Sequence, residues 1–204
     1  MAISAAEHTG LIASAASSLQ DLVQAVSAGL GLGVQAKLLM AALLILVFSA
    51  LVSAVVDNIP YTIAAVAIVR VLVSSFSGEL EATGMAAAGI GLATNVLWWA
   101  LALGACLGGN GSLIGASANV TAVGLLEKDG HHMPFVEFLK FGVPVMLLSV
   151  GIAAVYLTCY VYVGAVQTNL IGAGALAVLA VAALARMTVL RLLARSAEAG
   201  ELAP

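Results

Sequence analysis

The chain has 204 residues, 63% hydrophobic and 8% charged, with a mean hydropathy of +1.15. Soluble domains carry roughly 25% charged residues, so this composition excludes a water-facing globular domain and marks an integral, multi-pass membrane protein with the lipid bilayer as its surroundings. The formal net charge of −3 says little alone, because in a membrane protein the positions of charges matter more than their sum, and no nucleic-acid partner is expected.

In chain order, Met1 to Gly10 has Glu7 and His8 where a cleavable signal peptide would be basic and then apolar, so no such peptide is expected. Residues 11–30 place Leu19, Leu22, Val23, Val26 and Leu30 at three-to-four spacing, an amphipathic helix suited to an interface. Leu38 to Val56 is uncharged and long enough for a membrane-span candidate. Asp57-Asn58-Ile59-Pro60 interrupts it, and apolar sequence resumes from Ile59 to Val69, ending near Ser74. Phe76 to Thr83 reads as a short acidic loop with Glu79 and Glu81. Gly84 to Leu107 is apolar, with Thr94 and Asn95 as interhelical contacts and Trp98 and Trp99 as packing residues. Gly108-Gly109-Asn110-Gly111-Ser112 breaks the pattern before Leu113 to Leu126 resumes it. A polar loop (Glu127 to Pro134, with His131 and His132 solvated), a long span from Phe135 to Val163 kinked at Pro144, and a last run from Leu170 to Ala185 follow, with Arg186, Arg191 and Arg195 in the tail. Cys106 and Cys159 both lie in apolar segments, which points to packing rather than a disulfide.

A spanning helix needs about 20 residues, and Ile59 to Val69 and Leu113 to Leu126 are each too short alone. The expectation is an all-α membrane protein with one re-entrant hairpin (38–74, tip Asp57 to Pro60) and one broken helix (84–126, unwound at Gly108 to Ser112). Non-helical backbone at membrane depth survives only when buried in protein or facing water, so the two polar breaks are expected to share a cavity. With the hairpin entering and leaving on one side, Lys128, Lys140, the two histidines and the arginine-rich tail share the opposite side, which the positive-inside rule makes cytoplasmic; Lys37 and Arg70 fall against that rule.

The chemistry follows residue by residue. Asn58 and Thr62 supply neutral oxygens for a hard cation or for hydrogen bonds to an oxyanion. Pro60 fits the first turn of the second arm, where its missing N–H costs nothing. Asp57 binds sodium, carries a proton or caps that arm. Gly109 and Gly111 permit unusual backbone, and Asn110 and Ser112 offer side chains beside exposed carbonyls and N–H groups. The helix expected from Leu113 would turn its positive end to an anion, while carbonyls of the preceding arm hold a cation. Sodium at Asn58 and Asn110 is the metal expectation, and there is no cofactor beyond a coupling sodium ion or proton. Asn119, Ser117 and Thr121 line the cavity or bond between helices. The competing reading of the break is a packing kink, because Gly104 and Gly108, and Gly111 and Gly115, sit at helix-contact spacing. A serine hydrolase is excluded: Gly115-Ala116-Ser117-Ala118-Asn119 fails the nucleophile motif at its last position, and no histidine lies in a span.

SALVSAVVDNIPYTIAAVAIV and NVLWWALALGACLGGNGSLIGASANV resemble the ion-transporter superfamily that includes arsenite permeases, NhaD-type sodium/proton antiporters and the melanosomal P protein, a citrate transporter-like domain. Ala6 to Leu11 is similar to the piece before the amphipathic arm in those proteins, and Val136 to Pro144 continues the likeness, which covers roughly residues 6–160. The resemblance implies two inverted-topology halves, each with a re-entrant hairpin and a broken helix around a central ion site, of which this chain is the second. It divides the chain into a partial helix and interfacial arm (1–36), a transporter C-terminal half (37–164) and an extra apolar helix with a basic tail (165–204). The implied function is secondary transport of an inorganic ion or small anion by alternating access in the cell membrane, with no enzymatic step. The implied partner is the missing first half or a second copy of the chain. The alternatives are a truncated remnant, a split gene or a misassigned start.

Overall fold

The long apolar runs form helices, as they must where hydrocarbon offers backbone polar groups no other partner. The computed structural model describes residues 17–18, 21–26, 29, 31–164, 166–177 and 180. The chain divides into two units, Met1–Tyr162 and Val163–Pro204. The first holds α1 (Val34–Ser53), α2 (Asn58–Ala82), α3 (Ala87–Gly108), α4 (Ser117–Lys128) and α5 (Phe135–Tyr162), with a 3-10 turn over Gly109–Gly111 between α3 and α4. In the second, residues 166–177 are helical. There is no strand among the described residues, and α1, α2, α3 and α5 are each long and apolar enough to cross a membrane. The all-α membrane class expected from the sequence is the class observed.

α3 is the hub and packs against α1, α2 and α5. The core it organises includes Leu38 and Leu46 of α1, Leu72 of α2, Leu97 of α3 and Leu157 of α5, all almost fully buried. The α1–α3 seam is the closest. A Cβ built on Gly104 would stand 2.5 Å from the Leu46 carbonyl oxygen, and one on Gly108 would stand 2.5 Å from the Ala50 Cα. Small residues at helix-contact spacing let backbones approach this way where dispersion, not the exclusion of water, drives helix pairing.

Glycines also end the helices. After α2, Gly84 adopts φ +82°, its N–H donates to the Glu81 carbonyl, and the Met85 N–H donates to the Leu80 carbonyl. After α4, Gly130 (φ +85°) donates to Glu127 and His131 to Leu126 in the same pattern. Both are the 6→1 and 5→2 closures that use a left-handed glycine to satisfy the last carbonyls.

Several expectations change. The acidic stretch 76–83 is not a loop: α2 runs through it to Ala82. Glu79 is held there by an ion pair with Lys37 at 3.6 Å and accepts a hydrogen bond from Gln24 Nε2 at 2.8 Å. The Lys37 charge that ran against the positive-inside count is therefore locally offset. α1 and α2 have 20 and 25 residues, about 30 and 37 Å at 1.5 Å per residue. Each has the length of a full crossing, so shortness no longer argues for a re-entrant hairpin. α4 begins at Ser117 rather than near Leu113, and α5 runs on helically through Pro144. Asn95 and Cys106 are exposed rather than packed between helices, and Trp99 is 47% exposed. Of the amphipathic arm, Leu22 and Val26 are exposed and Val23 buried. Leu19, Leu30, the Ala6 to Leu11 piece and the arginines of the tail lie outside the described residues.

Candidate functional site

The helix break is where the polar backbone of this molecule collects. α3 ends at Gly108, the 3-10 turn follows, and Ser112 (φ −144°, ψ 165°) and Ala116 (φ −149°, ψ 137°) are extended before α4 starts. The unwound stretch is thus 109–116, longer than the five residues expected. It packs against the last turn of α1 and against α5. A Cβ on Gly115 would meet the carbonyl oxygens of Gly109 and Ser53 at 2.8 Å and of Ala54 at 3.1 Å. A Cβ on Gly142 of α5 would meet the Asn110 and Gly111 carbonyls at 2.6 and 3.2 Å. Gly142 is seven residues into α5, which sets the break about 10 Å from one end of that helix and about 30 Å from the other.

Side chains close the break on itself. Asn119 Nδ2 donates to the Gly109 carbonyl at 2.9 Å and to the Ser112 carbonyl at 3.0 Å. The buried Ser112 hydroxyl donates to the Ala54 carbonyl and accepts the Gly115 N–H at 3.1 Å. From the α1 side, Ser53 Oγ donates to the Ala105 carbonyl at 2.6 Å. Asn119 and Ser112 are therefore fasteners of the unwound backbone. Gly109 and Gly111 are buried, while the Asn110 side chain is exposed.

The Asp57 to Pro60 segment begins α2. Asp57 Oδ1 accepts the Ile59 N–H at 3.1 Å, an N-cap, and Pro60 sits in the first turn, where helices tolerate it. The Thr62 hydroxyl donates to the Asn58 carbonyl at 2.7 Å within the same helix. Asp57 and Asn58 are half-buried, and Ile59 and Pro60 are exposed. What meets the break is the end of α1 just ahead of them, Ala50, Ser53 and Ala54. Ser49 and Tyr61, joined at 2.9 Å, tie the end of α1 to the start of α2. Ser49, Ser53, Gly115 and Gly142 were not singled out as functional by sequence reasoning. Ser49 with Ser53, and Gly115 with Gly111, carried the signal of small residues four apart; Gly142, set between Phe138 and Met146 at that spacing, carried none. Of the weaker candidates, Thr121 donates to the Ser117 carbonyl at 3.0 Å in its own helix, and Thr94 to the Ile90 carbonyl at 2.9 Å in its own.

Electrostatically the break joins unlike helix ends. The C-terminal ends of α1 and α3 converge on it with their partial negative charge, and the carbonyls of Ser53, Ala54 and Gly109 crowd around Gly115. The N-terminus of α4 also opens here and has no side-chain cap, unlike that of α2, which Asp57 occupies. The carbonyls packed on Gly115 are partly engaged, Gly109 by Asn119 and Ala54 by Ser112, while the uncapped N-terminus of α4 turns its positive end toward the break.

Comparison with known proteins adds the following. The chain is 44% identical over 117 residues to the P protein of Mus musculus, covering 57% of this chain and 13% of that protein. It is 39% identical over 119 residues to a 46 kDa membrane protein of Mycobacterium leprae, covering 58% of this chain and 25% of that one. It is 40% identical over 116 residues to a protein named as an uncharacterized transporter in Mycobacterium tuberculosis, covering 57% and 24% respectively. The chain thus spans about an eighth of the P protein and a quarter of the bacterial relatives it matches. No family model and no solved structure matches it.

Proposed function

From its homology, over more than half its length, to a P-protein-like transporter family, we propose that this chain forms one half of a secondary transporter in the cell membrane. It would carry an inorganic ion or small anion by alternating access, as a carrier rather than an enzyme. The observation that supports this most is the convergence of two helix C-terminal ends and three carbonyl oxygens on Gly115, beside an uncapped helix N-terminus. Unwound backbone of this kind holds coupling cations in carriers with broken helices, and half-helix N-termini receive anionic groups. In this reading a coupling sodium ion is held at the break by Asn58 and Asn110, and a coupling proton is carried by the Asp57 carboxylate. Two types fit, sodium/proton antiport and an arsenite or anion permease. A complete site draws on further chain, from a first half or a second copy, because the relatives are four to eight times longer than the matched stretch.

Ion-dependent flux in everted vesicles containing this chain, together with the first half of a bacterial relative, is the expected result. Its absence both with and without that first half would leave the chain a remnant and end the proposal. Asp57→Asn keeps the cap oxygen and removes the charge, so flux should lose its ion dependence at unchanged stability. Asp57→Ala should lose about 1 kcal/mol of stability as well, the cost of an N-cap. Ion dependence that survives Asp57→Asn would restrict Asp57 to capping.

A further inference from the structure

We propose that the face of α2 around Arg70 docks a further membrane-spanning helix that carries an aspartate or glutamate at mid-depth. The inference deepens the transport reading and rests on it for the existence of further chain. It assigns a distinct acidic span, rather than a second copy, to this side of the half-transporter. Arg70 is the thirteenth of the 25 residues of α2, about 18 Å from either end. Two contacts fix its level. Tyr61 meets Ser49 and Glu79 meets Lys37, and Arg70 lies nine residues, about 14 Å, from each. Over the matching interval α1 runs from Leu38 to Phe48 without one polar residue, so Arg70 is level with hydrocarbon. Its side chain is exposed and has no hydrogen bond or ion pair among the described residues.

A guanidinium does not give up its proton, so at this depth it stays charged and needs an anion beside it. The described spans supply none there. α1 and α3 contain no acid, Glu137 is the third residue of α5, and the nearest carboxylate along α2 is Glu79, farther off than an arginine side chain extends. The half-buried Lys37–Glu79 pair marks one edge of the apolar layer, so headgroup phosphates lie out of reach as well. Toward the break, the exposed residues of α2 are Ile59, Pro60 and Ile63, which give water no polar lining.

The face also has the shape of a helix contact. Arg70, Val71, Ser74 and Gly78 are exposed on one side of α2, and a Cβ on Gly78 meets nothing within 4 Å. Ser74 and Gly78, four residues apart, repeat the small-residue spacing by which α3 meets α1 at Gly104 and Gly108. A second copy in the same orientation would set two Arg70 guanidiniums at one depth, like charge against like. The complement is therefore an acid on a different span, and relatives four to eight times longer than the matched stretch have further chain to carry one.

The probe is a leucine–alanine span peptide of about 20 residues with a central aspartate, compared with the same peptide bearing asparagine. The chain, carrying Cys159→Ser and a donor fluorophore on Cys106, is reconstituted in phosphatidylcholine vesicles and titrated with acceptor-labelled peptide. Energy transfer should show the aspartate peptide bound at least tenfold more tightly. Arg70→Gln should bring it down to the asparagine level, and Arg70→Lys should keep most of the preference. Gly78→Leu, which fills the open contact, should weaken both peptides. Equal binding of the two peptides to the chain with Arg70 intact would overturn the proposal without recourse to any variant. So would a preference that survives Arg70→Gln, or transfer between two labelled copies that Gly78→Leu abolishes, which would give the face to a second copy. Peptide binding involves no flux. A chain that transports with its first half yet ignores the aspartate sinks this inference alone, and failed flux leaves the peptide result standing.

Discussion

Gly108→Ala is expected to separate α3 from α1 and cost about 3 kcal/mol or more, the upper end of overpacking a tight contact. The added Cβ would lie on the Ala50 carbonyl oxygen, 2.5 Å from the Ala50 Cα and 2.8 Å from its carbonyl carbon. All three are backbone atoms, so no rotamer change relieves the clash and the helices must part. The damage would not stay local. Ser53 to Ala105 and Ser112 to Ala54 are hydrogen bonds across this same seam, and both lengthen if α1 moves away. Gly124→Ala and Gly151→Ala are the controls, because a Cβ at either meets nothing within 4 Å. Replacing an open helical glycine removes chain entropy from the unfolded state, so these should be neutral or stabilising by up to about 1 kcal/mol. Unfolding in mixed micelles with rising dodecyl sulfate measures all three. A Gly108→Ala midpoint equal to that of Gly124→Ala would show that α1 and α3 do not meet at this point.

The second large effect is expected at Asn119. One amide group on α4 donates to two carbonyls of the unwound stretch, Gly109 and Ser112, and so ties its start and its middle to the following helix. Asn119→Ala should cost about 2 kcal/mol, roughly one net hydrogen bond for each carbonyl released. Asn119→Asp should cost more, although its shape is the same. An ionised carboxylate cannot donate, and it would face two carbonyl oxygens with a like charge. In the same micelle titration, Asn119→Asp unfolding at the wild-type midpoint would refute the fastener role. With a first half present, Asn119→Ala should also weaken ion dependence, because the stretch it ties carries Asn110.

Much of this was legible from residue order. The Gly108 to Ser112 run announced a break, and Asp57 with Pro60 announced the start of a helix, capped by one and tolerant of the other. Those are local properties. What misled was charge. Glu79 and Glu81 looked like a loop, yet α2 passes through both, because Glu79 finds Lys37 and Gln24 from distant segments. The cue that would have corrected the boundary was Gly84, whose left-handed conformation closes the helix. Ser112 and Asn119 illustrate the same limit. Their polar atoms were visible as candidate ligands, but their partners are carbonyls that converge only after the backbone has unwound.

The sequence by itself determined the solvent and the elements. A chain 63% hydrophobic and 8% charged must live in a bilayer, and in a bilayer its apolar runs must be helices that satisfy their own backbone groups. Only the tertiary structure decided which ends of those helices meet. The α1–α3 approach depends on Gly104 and Gly108 facing Leu46 and Ala50, and it carries the C-terminal end of α1 onto the break. It also left one side of α3 uncovered, with Asn95 and Cys106 on it. Burial of that kind is a property of neighbours, and pattern along a single helix records which residues are polar without recording which side is covered.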